Sequence, residues 1–250
     1  MMNNIKSILG SFKIKDELNS NIWEKTDDGY VMKQKVRDRL LKIANDFIEF
    51  LDVDIIITDI IMTGSLANFN WSDFSDIDVH LIADLRQYPK NLRPLYEDLF
   101  KLKKSLYKKK HDITIYGYEV ELYVEDESQI NEVKNSTRFS ILNNEWIEKP
   151  VKETFEIKVD RIKSKSNQWM SIIDTLIESV KDDDYDDAKE LIQKYNDKLR
   201  KYRTCGLQKD GEFSDENLVF KVLRRNGYLD KLKDLKNKLT DKKLSLKESR

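Results

Sequence analysis

The sequence predicts a chain of the α+β class, in which a mixed α/β part reaches to about residue 150 and an all-helical part follows. Isoleucine-rich and alternating segments before residue 150 are typical of strands. After about residue 153 proline is absent, glycine falls to three residues, and apolar residues recur at helical spacing. These observations place a domain boundary between residues 1–150 and 151–250.

The first part is predicted to contain strands with recognisable turns between them. Isoleucines fill the first of these strands, and Gly64 ends it. A hairpin is expected at Gly117, and a further strand pair is expected to turn at Asn143–Asn144. The predicted strands are 54–62, 76–83, 112–116 and 118–125, with the short pair inside 138–148.

Helices are predicted from apolar residues at positions three and four apart. In the second helix, Leu95, Leu99, Leu102 and Leu106 are the expected core positions. Ser214 is expected to begin a helix and Gly227 to end one. The predicted helices are 30–51, 92–108, 154–181, 186–203, 215–226 and 228–246.

Composition narrows the class of protein. The 45 basic and 46 acidic side chains give a net charge of −1, which excludes a strongly basic nucleic-acid binder. The single cysteine, Cys205, cannot form an internal disulfide, so a reducing compartment is expected. Neither a signal peptide nor a membrane span is evident, and we expect a cytoplasmic protein without membrane partners.

Two aspartates dominate the most informative stretch, MTGSLANFNWSDFSDIDVHLI at 62–82. Asp76 and Asp78 are two residues apart on a predicted strand, so their carboxylates point to one face. Two carboxylates at such a short distance both ionise readily only beside a cation. Mg²⁺ takes oxygen ligands of this kind. Gly64 and Ser65 lie at a strand-to-helix turn, where Ser65 is expected to cap the helix and free N–H groups to face a phosphate.

A third carboxylate is expected from the predicted strand YEVELYVE at 118–125. Glu119, Glu121, Tyr123 and Glu125 share one of its faces. Glu121 is the preferred acid because it lies in the middle of the strand, whereas Glu119 and Glu125 lie nearer its ends. Glu119 remains open as an alternative.

The pattern M-T-G-S, D-I-D-V and V-E-L resembles the signature of the nucleotidyltransferase superfamily, whose fold is that of DNA polymerase β. The stretch 54–126 is also similar to nucleotidyltransferase-like proteins of bacteriophages and bacteria. If the protein is encoded by a phage, the expected location is the cytoplasm of the host. The resemblance implies a mixed sheet with flanking helices. It implies that Asp76, Asp78 and Glu121 bind Mg²⁺ or Mn²⁺ and act in catalysis, and that Gly64 and Ser65 grip a nucleoside triphosphate. The third acid is commonly Asp in this superfamily, and here it is Glu.

Other residues carry weaker predictions. His80 continues the acidic face, but an edge residue with a satisfied ring is the preferred interpretation. Phe69 and Trp71 either stack on a base or pin their loop to the core. Basic residues that are candidates for nucleotide phosphates are Lys209, in an expected loop, with Arg224 and Arg225.

Two functions remain open at this point. The first is metal-dependent transfer of a nucleoside monophosphate to a hydroxyl of a protein, an RNA end, a small molecule or a second nucleotide; the charge balance disfavours a long nucleic acid. The second is a catalytically silent nucleotide-binding, regulatory or immunity-related protein. The absence of a lysine in position to replace a metal argues against the second.

Overall fold

The computed structural model describes residues 7–128, 137–152, 157–179 and 185–245. Its contacts divide the chain into a sheet unit, Lys13–Thr154, and a helical unit. The helical unit contains the described residues of Met1–Phe12 and Phe155–Arg250. Each unit has its own apolar core.

A six-stranded mixed sheet organises the sheet unit, and a separate two-stranded hairpin precedes it. The hairpin strands are β1 (Trp23–Thr26) and β2 (Gly29–Met32). The sheet strands are β3 (Ile57–Thr63), β4 (Ile77–Ala83), β5 (Thr114–Ile115), β6 (Tyr118–Asp126), β7 (Arg138–Ser140) and β8 (Glu145–Glu148).

The strand order of the sheet is β5-β6-β4-β3-β7-β8. Strands β4 and β6 pair in parallel, whereas the other neighbours pair antiparallel. Both predicted turns are present, because Gly117 and Asn144 adopt positive φ between paired strands. The predicted α+β class and mixed sheet are therefore confirmed.

Two helices accompany the sheet: α1 (Gln34–Leu51) and α2 (Arg93–Lys110). Helix α1 presents Val36, Leu40, Ile43 and Phe47 to the core, as its spacing predicts. It begins four residues later than expected, because residues 30–32 belong to the unpredicted hairpin. Opposite faces of β4 are clearly separated: Ile77, Val79 and Leu81 are fully buried, which leaves the aspartate face towards solvent.

The predicted core face of α2 is wrong. Leu95, Leu102 and Leu106 are exposed, and Phe100 and Tyr107 are buried instead. Phe100 and Tyr107 each lie one residue after a predicted leucine position. Because an aromatic side chain buries more area than a leucine, the helix turns the aromatic face inward.

The helical unit contains α3 (Val159–Ser179), α4 (Tyr185–Asp210), α5 (Asp215–Arg225) and α6 (Tyr228–Leu244). The predicted helix ends at 154–156 and 180–181 lie outside the described residues. Ser214 caps α5 by accepting the Asn217 N–H, and Gly227 at φ 74° separates α5 from α6, as expected. Helix α4 continues to Asp210, so the expected loop around Lys209 is wrong, and Gly206 lies within the helix.

None of the described helices combines the length and the apolar character needed to cross a membrane.

Candidate functional site

The two predicted aspartates lie at the start of β4. Asp76 immediately precedes the strand and Asp78 is its second residue, and both are partly buried. Their neighbours Ile77 and Val79 are fully buried in the core. The alternation that the sequence shows therefore fixes Asp78 on the open face of the sheet.

Gly64 lies directly against Asp78. It follows β3 with φ 80° and ψ −167°, a conformation that L side chains rarely adopt. A β-carbon at this position would collide with Asp78 Oδ2. Glycine is therefore required here both by the backbone angle and by the close approach of the carboxylate.

Ser65 does not cap a helix, and that prediction is wrong. A 3₁₀ turn of three residues, Ser65–Ala67, follows Gly64 in place of the expected helix. Ser65 Oγ lies 2.7 Å from Ser75 Oγ, and Ser75 Oγ also accepts the Ser72 N–H. The Ser65 hydroxyl thus ties the two ends of loop 65–75 together.

Parallel pairing of β4 and β6 places one of the two candidate acids beside Asp78. Asp78 is in register with Glu121, so the two side chains leave the same face of neighbouring strands. Glu119, the alternative, pairs with Thr114 of β5 and lies two residues before Glu121, near the start of β6. The geometry brings Asp78 and Glu121 together and leaves Glu119 at the margin.

Lysines hold Glu121, which corrects the expectation that no lysine lies nearby. Lys108 Nζ is 2.6 Å from Glu121 Oε1, and Lys104 Nζ is 3.5 Å from Oε2. The Tyr123 hydroxyl donates to Oε2 at 2.6 Å. Both oxygens of the carboxylate therefore have donors from the chain itself.

The acids of this face titrate differently. Burial raises the pKa of Asp78 to about 6; the charges of Asp76 and Glu121 add to the effect, and His80 and Lys104 oppose it. Burial also acts to raise the pKa of Glu121, but hydrogen bonds from Lys108 and Tyr123 and the charges of both lysines lower it to about 2. The pKa of Asp78 is thus raised mainly by burial, whereas nearby lysines and Tyr123 keep the pKa of Glu121 low.

His80 has a satisfied ring, as preferred, although β4 is an inner strand and not an edge. Its Nδ1 is 2.9 Å from Glu125 Oε1, and its ring stacks on Tyr123 at 4.6 Å between centroids. Aromatic residues of the preceding loop pin it to the sheet unit: Phe69 is buried, and the Trp71 indole donates to the Glu17 carbonyl. These contacts favour the structural interpretation of Phe69 and Trp71 over base stacking.

The three basic candidates all belong to the helical unit. Lys209 is in the last turn of α4, with an exposed side chain 3.8 Å from Asp210. Arg225 donates to Ser11 Oγ at 2.7 Å and stacks over Phe12, so it joins helix α5 to the N-terminal segment. Arg224 is exposed. Nucleotide binding by these residues stays a prediction.

A metal role for the acids also stays a prediction. Within the described ranges, no three His, Cys, Asp or Glu side chains converge as a preformed metal cluster. The donor chemistry of Asp76 and Asp78 fits a hard divalent cation. Glu121 fits such a cation less well because its oxygens are engaged by lysines.

A separate cleft of about 480 Å³ opens between α1 and β5. Lys35, Arg39 and Lys42 line its rim, and Tyr107 and Ile115 contribute to its wall. It contains none of the predicted site residues, so it is not the expected nucleotide site.

Sequence reasoning missed Lys104 and Lys108 as residues of the site. They are four residues apart on a predicted helix, which places both on one face. That spacing was a usable signal for a paired cation, but nothing in the sequence indicates which strand this face contacts.

Comparisons with known proteins give only distant structural similarities, which carry no assignment. The chain matches no protein-family model and no curated protein. It is similar to a candidate nucleotidyltransferase from Sulfolobus solfataricus, at 19% identity and a TM-score of 0.28, over 44% of this chain and 88% of that one. It is also similar to the STING-associated CdnE c-di-GMP synthase from Capnocytophaga granulosa, at 15% identity and a TM-score of 0.23, over 84% of each chain.

The described fold is the mixed sheet with flanking helices that the resemblance implies. Strands β3, β4 and β6 are neighbours in one mixed sheet, as the order of the three motifs requires.

Proposed function

We propose that the chain transfers a nucleoside monophosphate from a nucleoside triphosphate to a hydroxyl group, with release of pyrophosphate. The observation that supports this most is the contact of Gly64 with Asp78, in register with Glu121 on the parallel strand. Phosphoryl transfer depends on charged groups held in a fixed position, and this contact fixes Asp78 beside Glu121.

In the proposed reaction, the acceptor oxygen bonds to the α-phosphorus as the bond from that phosphorus to the bridging oxygen breaks. The bridging oxygen leaves with pyrophosphate, and the proton of the acceptor hydroxyl passes to water. Asp76 and Asp78 would hold Mg²⁺ or Mn²⁺, which when bound neutralises charge on the phosphates. Gly64 would let the triphosphate approach the backbone, and Ser65 would keep loop 65–75 closed through Ser75.

Glu121 is a poor general base in this arrangement. A carboxylate with a pKa of about 2, held by two lysines and a tyrosine, has little affinity for the proton of an acceptor hydroxyl. Its proposed part is to anchor the positive charge of Lys104 and Lys108 beside Asp78. This differs from the metal-binding and catalytic role that the resemblance implies for Glu121.

A second function has a specific observation in its favour. Lysines on the third acid are also what a catalytically silent, nucleotide-binding protein of this fold would carry. Such a protein would bind a nucleoside triphosphate without turning it over.

Labelled nucleotides separate the two functions. The protein would be incubated with each of the four nucleoside triphosphates, labelled at the α- or at the γ-phosphate, with Mg²⁺ or Mn²⁺. We expect the α-label to appear on an acceptor and the γ-label in pyrophosphate, with both lost in the Asp76→Ala/Asp78→Ala double variant. Label bound but never transferred, across protein, RNA and small-molecule acceptors, would favour the silent function.

A further inference from the structure

The cleft between α1 and β5 combines an apolar wall with a charged rim. Val36 and Ile43 of α1 and Ile115 of β5 contribute to the wall, and all three are buried. The volume of about 480 Å³ lies within the range of small-molecule sites, which is roughly 300–1,000 Å³. Such sites usually have apolar walls and a few convergent polar groups. The cleft therefore has the size and the lining of a site for a small molecule.

Three basic side chains lie along the rim of the cleft. Lys35, Arg39 and Lys42 are four and three residues apart, which places them on one face of α1. All three are exposed, and within the described ranges none of them forms an ion pair. Because the fold does not use their charges, these charges are available to an anionic ligand.

Asp46 is acidic and also lines the cleft, but it is engaged by a neighbour. Its Oδ2 accepts the Tyr107 hydroxyl at 2.6 Å. No other acid belongs to the described lining, so three positive charges face one negative charge that already has a donor. This excess favours a ligand with at least two negative charges, such as a pair of phosphate groups.

Tyr116 provides an aromatic ring at the other side of the cleft. It is 54% exposed, and its ring contacts no other ring within the described ranges. Tyr116 and Gly117 both have positive φ, at 52° and 85°, in the turn between β5 and β6. Asn, Asp or Gly is the usual residue there, so Tyr116 is strained without gaining burial. Strained residues of this kind are often found at functional sites.

We propose that the cleft is a second nucleotide site, in which the phosphates contact the basic residues of the rim and the base stacks on Tyr116. A flat ring joined to two or more phosphates is the chemistry that an exposed aromatic ring and three cations match. The described lining includes none of the candidate active-site residues, so the inference does not rest on the proposed function.

Calorimetric titration of the full chain with ADP in the presence of a chelator tests the inference. The chelator removes the divalent cation through which Asp76 and Asp78 would bind a nucleotide. We expect one ADP to bind per chain, at least about tenfold more tightly than inorganic pyrophosphate or adenosine. The reason is that ADP uses both the rim and the ring, whereas each of the other two ligands uses one of them.

Neutralising the rim should weaken ADP binding. Arg39→Gln/Lys42→Gln is expected to lower the affinity by about tenfold or more, because charge-assisted contacts with the phosphates are lost. Lys90→Gln/Lys109→Gln is the matched control, since it makes the same change in net charge at two exposed positions outside the cleft. The control should bind ADP as tightly as the unmodified chain.

Tyr116→Asn separates the contribution of the base from that of the phosphates. Asn tolerates a positive φ better than Tyr does, so the turn is expected to persist. We expect the affinity for ADP to fall by about tenfold and the affinity for pyrophosphate to stay the same, because only the stacking ring is lost. A purely structural role of Tyr116 would instead lower both affinities or neither.

The outcomes separate the inference from the proposed function. ADP binding that survives Arg39→Gln/Lys42→Gln, or no ADP binding at millimolar concentration, would overturn the inference and leave nucleotidyl transfer to the labelled-nucleotide assay. ADP binding lost only in Asp76→Ala/Asp78→Ala would assign the nucleotide to the candidate active site and would also overturn the inference. If Arg39→Gln/Lys42→Gln does not fold, the two affinities of Tyr116→Asn still decide the result.

Discussion

At the scale of single residues, the contact of Gly64 with Asp78 is the tightest constraint in the site. The backbone angles of Gly64, φ 80° and ψ −167°, alone cost an L residue about 1–3 kcal/mol. A methyl group at Gly64 would in addition push Asp78 Oδ2 out of place. The residue at position 64 therefore controls the position of Asp78, a proposed ligand of the metal ion.

Gly64→Ala is accordingly expected to reduce nucleotidyl transfer by about 100-fold, since small displacements of reacting groups are that costly. Gly117→Ala is the matched control, because Gly117 has a similar φ of 85° and no atom within 4 Å of the added methyl group. It should cost stability by about 1 kcal/mol and leave transfer intact. Equal loss of transfer in both variants would contradict the importance of the contact.

Asp78 is expected to destabilise the cation-free protein at neutral pH. Its pKa is about 6 in the folded chain, against an ordinary 3.8, so the folded state binds the proton more tightly. The cost is absent below pH 3.8 and fully present above about pH 6, where it reaches at most ~3 kcal/mol. The ionised Asp78 carboxylate thus lowers the free energy of unfolding, as residues of functional sites often do.

Asp78→Asn should therefore raise the free energy of unfolding in the presence of a chelator at pH 8, and the gain should shrink as the pH falls towards 4. Urea unfolding at both pH values measures this. Asp73→Asn, an exposed change in the preceding loop, should stay within about 0.5 kcal/mol. A variant that is no more stable than the parent at pH 8 would show that Asp78 is not strained.

At the scale of elements, α2 links the core of the sheet unit to the site. Phe100 and Tyr107 bury one face, and Lys104 and Lys108 contact β6. Helix α2 is rotated so that Phe100 and Tyr107, and not the predicted leucines, face the core. The same rotation places Lys104 and Lys108 against Glu121.

Alanine substitutions test that rotation. Phe100→Ala is expected to lower the free energy of unfolding by about 3–5 kcal/mol, because it empties a core position that is 3% exposed. Leu102→Ala, at a position that is 57% exposed, should change it by less than about 0.5 kcal/mol. Chemical denaturation of both variants would refute the observed packing if Leu102→Ala proved the more costly.

What the sequence could predict at this scale follows from local patterns. Alternation along β4 and β6 gives the face of Asp78 and Glu121, and Gly117 marks the hairpin between β5 and β6. The β1–β2 hairpin was missed because its alternation is too short to compete with the helical pattern that follows. The pairing of Lys104 with Glu121 was missed because a contact between distant elements has no local signature.

At the scale of the whole molecule, one chain carries a sheet unit with the proposed chemistry and a helical unit with basic residues. Arg225 already serves the packing of its own unit through Ser11 and Phe12. Exposed Arg224 is therefore the better candidate for a ligand than Arg225, and its effect on nucleotide affinity is open to direct titration.

The central claim is that Asp78 acts in nucleotidyl transfer. The most direct test is the rate of pyrophosphate release from a nucleoside triphosphate by the full chain, by Asp78→Asn and by Asp73→Asn. We predict a loss of about 100-fold or more in Asp78→Asn, with Asp73→Asn unchanged. The reason is that Asp78 would hold the divalent cation that neutralises the phosphates. Pyrophosphate release at the same rate in all three proteins would contradict the account.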